Sequence, residues 1–436
     1  MLRRMVLSGY LIAAGGLAQA QTAPQLPPPE KTDPAVLQMM HGFPPPPEKT
    51  VTLGSVLRIP ANSRWANQHL RELGPTVSIW RGAGGPSPLK SVPRDLDTLA
   101  FEDDKATRTT LADWQKATYT DAVLVMHKGA IVYERYHAGL QQQTPHVLWS
   151  MTKSLTGLLA GIAIHEGKID PKAKVAQYLP ELAESAWGDA IVQQTLDMTT
   201  GVRYGEDITN PKAEIFQYLI SNGLVPAPAN YPGPRTMLAF LKGLAKDGDH
   251  DKGFVYKTVD TEIIGWMLQR AYNKAFAELL SEKIWRGIGA EEDAFIWTDP
   301  NGAQVTSIGV SATLRDIGRF GEMIRQGGEL NGKRVVPKAV IEEIRKGADR
   351  EKFKASGLAP RFGYSYHNHW WISHDAAGSF EAKGLNGQHL HINPAAELVV
   401  VKLSSHPAGN TILTHNLDRR AFEAVAKAVS VKAGAK

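Results

Sequence analysis

Leu148-Trp-Ser-Met-Thr-Lys-Ser-Leu155 is the stretch on which the reading of this 436-residue chain turns. It contains Ser150-x-x-Lys153 and opens the run Leu155, Leu158, Leu159, Ile162, Ala163, Ile164. That run is apolar on more than one face, which marks a buried helix. Serine suits the start of such a helix. Residues at i and i+3 share a helical face, so Ser150 and Lys153 are neighbours. A lysine taken out of water loses affinity for its proton and becomes a base for an adjacent hydroxyl. The pattern alone does not decide the matter. Ser87-Pro-Leu-Lys90 has the same spacing, but it follows Gly84, Gly85 and Pro86 in a loop with no helix to hold it. A capped core helix with Lys153 reaching to solvent is the structural alternative at this point.

On either side of this stretch lie strands. Asp121–Lys128 and Ala130–Tyr136 are β-rich runs joined by Lys128-Gly129, a tight turn. Three more strand-like runs come late: His367–His374, Gln388–Asn393 and Glu397–Ser404. Leu398-Val-Val-Val401 has the continuous apolar character of a strand covered on both faces. Leu417, Ala421, Ala424, Val425, Ala428 and Val429 stripe one face of a closing helix. Two early and three late strands are expected to form one five-stranded, mostly antiparallel sheet, an α+β fold. The helical stretch between them, about 165–350, becomes an inserted lobe, and a cleft between lobes is where a site is expected.

The rest of the composition narrows the possibilities. The absence of cysteine excludes disulfides, thiolate metal sites and a cysteine nucleophile. The formal charge of +5 is dispersed, with no basic run interleaved with aromatics, so no nucleic-acid partner is expected. Residues 1–20 read as an export address: the charged MLRRM, a short apolar core, and Ala18-Gln19-Ala20 as cleavage site. The mature chain is expected to begin near Gln21, in the periplasm or outside the cell, with no membrane span. Residues 21–50 hold nine prolines and the repeat P-P-P-E-K-T at Pro27–Thr32 and Pro45–Thr50, the signature of a stiff spacer or an arm lying on the domain. Residues 51–436 then form a single two-lobed domain.

Two further segments bear on Ser150. Tyr256 precedes a predicted helix and can project from a loop. Gly384-Leu-Asn-Gly387 leads into the strand after Gln388, where glycines permit close backbone approach. Together these stretches resemble the serine β-lactamase and penicillin-binding-protein superfamily, and within it the class C-like esterases and 6-aminohexanoate-dimer hydrolases. W-S-M-T-K-S carries the resemblance with Leu196–Gly201, Tyr256–Glu262, Ser311–Gly321, Gly384–Gln388 and Val401–Pro407, in order over roughly residues 52–430. The resemblance implies a serine hydrolase with a β-lactamase/transpeptidase-like fold and no cofactor or metal. It implies Ser150 as acylated nucleophile, Lys153 as its base partner and Tyr256 as proton shuttle. The oxyanion hole would be the backbone N–H groups of Ser150 and Gln388, and Trp149, Thr258, Asn386 and Gly387 would contact a small ester or amide substrate.

Three departures from the family pattern matter. No Ser or Thr follows Lys383 in the register of a Lys-Thr-Gly motif, so the handle for a β-lactam carboxylate is weak. Thr258 stands for the usual Asn or Ser. Ile208 follows Glu206-Asp207 where nylon-oligomer hydrolases can carry a tyrosine. A β-lactamase, or a weakly catalytic or inactive protein that binds cell-wall peptides or a partner, remain as alternatives, and oligomeric state is open. A zinc site among His367, His369, His374, His389 and His391 lacks a supporting carboxylate or helical spacing. Asp197 and Glu206 are expected to cap helices or bind loops.

Overall fold

The computed structural model describes residues 26–207, 210, 212–356, 358, 361, 363–409 and 412–431. The export address at 1–20, the first residues of the arm and Ile208 lie outside them. The main sheet is built from β1 (Lys90–Ser91), β2 (Thr120–His127), β3 (Ala130–Tyr136), β4 (Ser365–His367), β5 (Trp370–Ile372), β6 (Phe380–Gly384), β7 (Gln388–Asn393) and β8 (Leu398–Ser404). Their spatial order is β4-β5-β6-β7-β8-β2-β3-β1, antiparallel except where β1 runs parallel to β3. The early hairpin and the late strands thus join in one sheet through the β8–β2 pairing, in which Val401 opposes Leu124.

The count of five strands is corrected to eight. The run His367–His374 is a hairpin, broken where Asn368 and His369 both take positive φ. β6 reads Phe-Glu-Ala-Lys-Gly, and its buried Glu381 and Lys383 hide the apolar alternation of a strand. β1 has only two residues, too few to leave a pattern. The turn at Lys128-Gly129 takes positive φ at both positions, as a two-residue hairpin turn demands.

Alternation within the strands sorts side chains to the two faces. Ala122, Leu124, Met126, Val399, Val401 and Leu403 face the large core shared with the inserted lobe. Val123, Val125, Leu398 and Val400 face the closing helix. The helices that matter below are α1 (Thr152–His165), α2 (Glu214–Ser221), α3 (Thr258–Tyr272), α4 (Leu314–Arg325) and α5 (Ile412–Ser430). α5 covers the second face with Ala421, Phe422, Val425 and Val429. Each fully buried Val or Phe there contributes about 1.5–3 kcal/mol. α4, late in the range given to the lobe, packs on β8 and β2. A second sheet of Thr76–Ile79, Ala294–Trp297, Val310–Ala312 and His146–Val147 delivers the chain to Ser150. No helix among the described residues is long and apolar enough to cross a membrane.

The described part of the proline-rich segment lies against the domain. Arg64 Nη1 donates to Pro29 O and Thr32 Oγ1, both at 3.1 Å, and the Tyr119 hydroxyl donates to Pro27 O. Met39 joins Val51, Val56, Trp65 and Ala66 in a small core of its own.

Candidate active site

The turn Trp149–Met151 runs straight into α1. It sits against β6 and β7, so close that a Cβ on Gly384 would lie 2.2 Å from the Leu148 carbonyl oxygen. Ser150 Oγ and Lys153 Nζ are 3.0 Å apart. Lys153 does not reach solvent; it is fully buried. Its Nζ also lies 3.4 Å from Ser307 O and 5.1 Å from the Tyr256 ring centre. Burial lowers the Lys153 amine to about 8, while the charges of Glu206 and Glu262 pull it back up. A group poised near 8 is free of its proton in part of the molecules at neutral pH.

Tyr256 stands in the loop two residues before α3, with its phenol facing the Ser150 hydroxyl. Burial, reinforced by the Glu206 charge, raises its phenol, so it keeps its proton at neutral pH. The ring stacks on Trp371 at 5.6 Å and meets the edge of Tyr366. Lys153 from α1 and Tyr256 from the loop before α3 therefore converge on one hydroxyl.

That hydroxyl opens into a cavity of about 560 Å³. Trp149, Glu206, Thr258 and Asn386 line it beside Ser150. Most of the remaining wall is apolar. Leu53, Val56, Ile59 and Pro60 form one side, and Ile215, Phe216 and Leu219 of α2 the other. Gly387 and Gln388 are buried next to Asn386. Gln388 uses its side chain structurally: Nε2 donates to Leu385 O and Ser404 O, and Oε1 accepts from Ser404 N. The loop before it is held by Asn386, whose Nδ2 donates to His406 O at 2.9 Å.

Glu206 accepts from the Thr258 N–H at 2.5 Å, capping α3 while lining the cavity. Burial raises its carboxyl, and Lys153 and Thr258 oppose the rise. Asp197 is a loop binder: it accepts from Asn368 N and Gln193 Nε2 and pairs with His367. Sequence reasoning missed Glu262, one turn after Thr258 on α3. Its carboxylate accepts from Tyr218 OH, Thr306 N and Oγ1, and Ser307 N, and so fixes the carbonyl that faces Lys153. The i, i+4 spacing from Thr258 was the available signal.

The histidines divide. His367 pairs with Asp197 and His374 with Ser365, while burial lowers His369 to about 3 and keeps it neutral. His389 and His391 do meet a carboxylate, Glu381 on the neighbouring strand. Lys383 Nζ lies 2.6 Å from that carboxylate and 2.8 Å from His389 Nε2, so an ammonium already stands where a cation would. Lys383 points away from Ser150, into the layer beneath α5, near His415.

A serine hydroxyl held by a buried amine and faced by a tyrosine, at the head of a helix docked against an antiparallel sheet, defines a class. Residues 64–424 match the sequence profile of the family described as Beta-lactamase, and the chain belongs to that family. The 6-aminohexanoate-dimer hydrolase of Paenarthrobacter ureafaciens is 35% identical over 370 residues, 84% of this chain and 91% of the relative. A solved Bacillus anthracis structure carrying the name 6-aminohexanoate-dimer hydrolase superposes with a TM-score of 0.81 at 30% identity, covering 88% of this chain and 98% of that one. A family VIII carboxylesterase shares the fold, at a TM-score of 0.55 and 18% identity over 72% of this chain and 95% of that one. The protein is thus a beta-lactamase-fold hydrolase related to the 6-aminohexanoate-dimer hydrolases.

Proposed function

We propose that the protein cleaves a carboxylic ester or small amide through an acyl-enzyme on Ser150. The observation that carries this reading is the 3.0 Å contact between Ser150 Oγ and a fully buried Lys153. Neutral Lys153 takes the hydroxyl proton as Oγ attacks the carbonyl carbon. The backbone N–H groups of Ser150 and Gln388 receive the developing oxyanion, where one such donor is worth about 3 kcal/mol. Tyr256, which keeps its proton, passes it to the leaving group and then helps activate the water that releases the acid.

The apolar walls from Leu53–Pro60 and α2 favour an uncharged acyl chain over a polar one. A β-lactam is disfavoured, because Lys383 is spent on Glu381 and no hydroxyl follows it at the strand edge. The relationship to the Paenarthrobacter hydrolase supports a linear amide as the second reading. Export through the segment 1–20 belongs to the same proposal.

A fluorophosphonate probe and a p-nitrophenyl ester series test the assignment. Ser150→Ala should lose both labelling and turnover, and Tyr256→Phe should lower turnover with the fold intact. Labelling of Ser150→Ala at the wild-type rate would remove Ser150 from the mechanism.

A further inference from the structure

Trp149, immediately before the proposed nucleophile, holds φ at 48°. A bulky residue stays in that left-handed region only when its surroundings impose it. The imposing contact is a hydrogen bond from Trp149 Nε1 to Asn67 Oδ1, 3.1 Å long. Asn67 is 1% exposed and comes from the helix Pro60–His69, far away in sequence. Its Nδ2 donates to Ser405 Oγ at 2.8 Å, and the Ser405 hydroxyl donates to Asp121 Oδ2. Asp121 also accepts from Arg64 Nε at 2.7 Å and pairs with His146 at 3.1 Å. Burial alone would raise the Asp121 carboxyl, but Arg64 and His146 hold it below its ordinary value. From Trp149 to Asp121 every donor points the same way, toward one fixed negative charge. Such a chain has one stable arrangement.

Ser405 also touches the other side of the site. Its neighbour His406 donates its N–H to Asn386 O, and Asn386 Nδ2 returns a bond to His406 O, both at 2.9 Å. Asn386 precedes Gly387-Gln388. One buried node, Asn67 with Ser405, therefore braces both segments whose N–H groups face the reacting carbonyl in the hydrolase reading.

We propose that Asn67 is a positioning residue that sets the spacing between the Ser150 and Gln388 N–H groups. It acts through Trp149 and Ser405, touches no substrate, and rests on the reading of Ser150 as nucleophile. The anchor at the far end is Arg64, whose remaining donors reach Pro29 O, Thr32 Oγ1 and Thr120 O.

The test is a double-mutant cycle on the full-length protein with Asn67→Ala and Trp149→Phe, which removes the indole N–H donor and keeps an aromatic ring. Asn67→Ala is expected to lower kcat and the fluorophosphonate labelling rate about 10- to 100-fold, with KM within about twofold, as small misplacements of catalytic groups do. The double variant should be no slower than Asn67→Ala alone, since Asn67→Ala already removes the bond that Trp149→Phe breaks. Multiplicative losses, or a rise in KM with kcat unchanged, would overturn the proposal. Trp149→Phe supplies the answer if Asn67→Ala does not fold: wild-type kcat there also overturns it. Ser150→Ala separates the two readings. A Ser150→Ala protein that no longer labels, beside unimpaired Asn67 and Trp149 variants, rejects the positioning role and keeps the hydrolase. A Ser150→Ala protein that still labels rejects both.

Discussion

The two faces of the main sheet treat buried lysines in opposite ways. Toward the inserted lobe, Lys153 has a serine hydroxyl and a carbonyl oxygen within reach and, among the described residues, no carboxylate in contact. Toward α5, Lys383 sits 2.6 Å from Glu381 and Lys402 sits 2.6 Å from Asp418. Burial brings the amines of Lys153 and Lys383 to the same value, about 8. Proton affinity therefore does not tell them apart; partners do. An amine locked to a carboxylate is a structural cation, whereas one held only by neutral oxygens can give up and regain its proton without leaving a stranded charge.

The largest effect that would break this contrast concerns the unpaired lysine. Lys153→Met should cut acylation of Ser150 about 10³-fold, in the range for loss of a proton acceptor. Its thermal midpoint should stay near that of wild type, because an apolar chain of similar length replaces an amine with no carboxylate in direct contact among the described residues. Single-turnover labelling and a thermal melt read the two halves. An unstable Lys153→Met protein would mean that the amine is structural after all.

On the other face the same change should do the reverse. Lys383→Met leaves buried Glu381 with His389, His391, Tyr364 and the Arg361 charge, and should cost about 3 kcal/mol of stability. Turnover per folded molecule should hold. Denaturant midpoints measure the loss, and adding Glu381→Gln should recover part of it. A single variant as stable as wild type would show that His389, His391 and Arg361 carry the charge balance without Lys383.

The smallest effect is in pH. Lys153 works as a base when neutral, so kcat/KM should rise as pH climbs through about 8 and fall away below it. Glu206 holds the Lys153 proton on. Glu206→Gln should therefore move that acid limb to lower pH, by roughly half a unit to one unit. A limb that does not move would assign it to another group.

The sequence made some of this legible and hid the rest for physical reasons. The Lys128-Gly129 hairpin and the apolar run Leu398–Val401 were readable because turn chemistry and burial leave local marks. Ser150, Lys153 and Tyr256 were readable because the resemblance fixes their order, and the structure gathers them around one hydroxyl. β6 was not readable, since its Glu381 and Lys383 look like surface residues and are neutralised only by partners on α5 and the neighbouring strand. Glu206 and Asp197 read as cap or loop acids, and both do that, but the nearness of Glu206 to Lys153 depends on a lobe contact that no local pattern reports. Glu262 and Asn67 escaped for the same reason: their partners lie 44 or more residues away.

The sequence-profile match begins at residue 64, while Leu53–Pro60 supply one side of the cavity. A chain begun at that boundary would keep every reacting group and lose a wall. The stretch ahead of residue 64 thus touches the site twice: Leu53–Pro60 shape the cavity beside Ser150, and Pro29 and Thr32 hold Arg64, the far anchor of the hydrogen-bond chain behind Trp149.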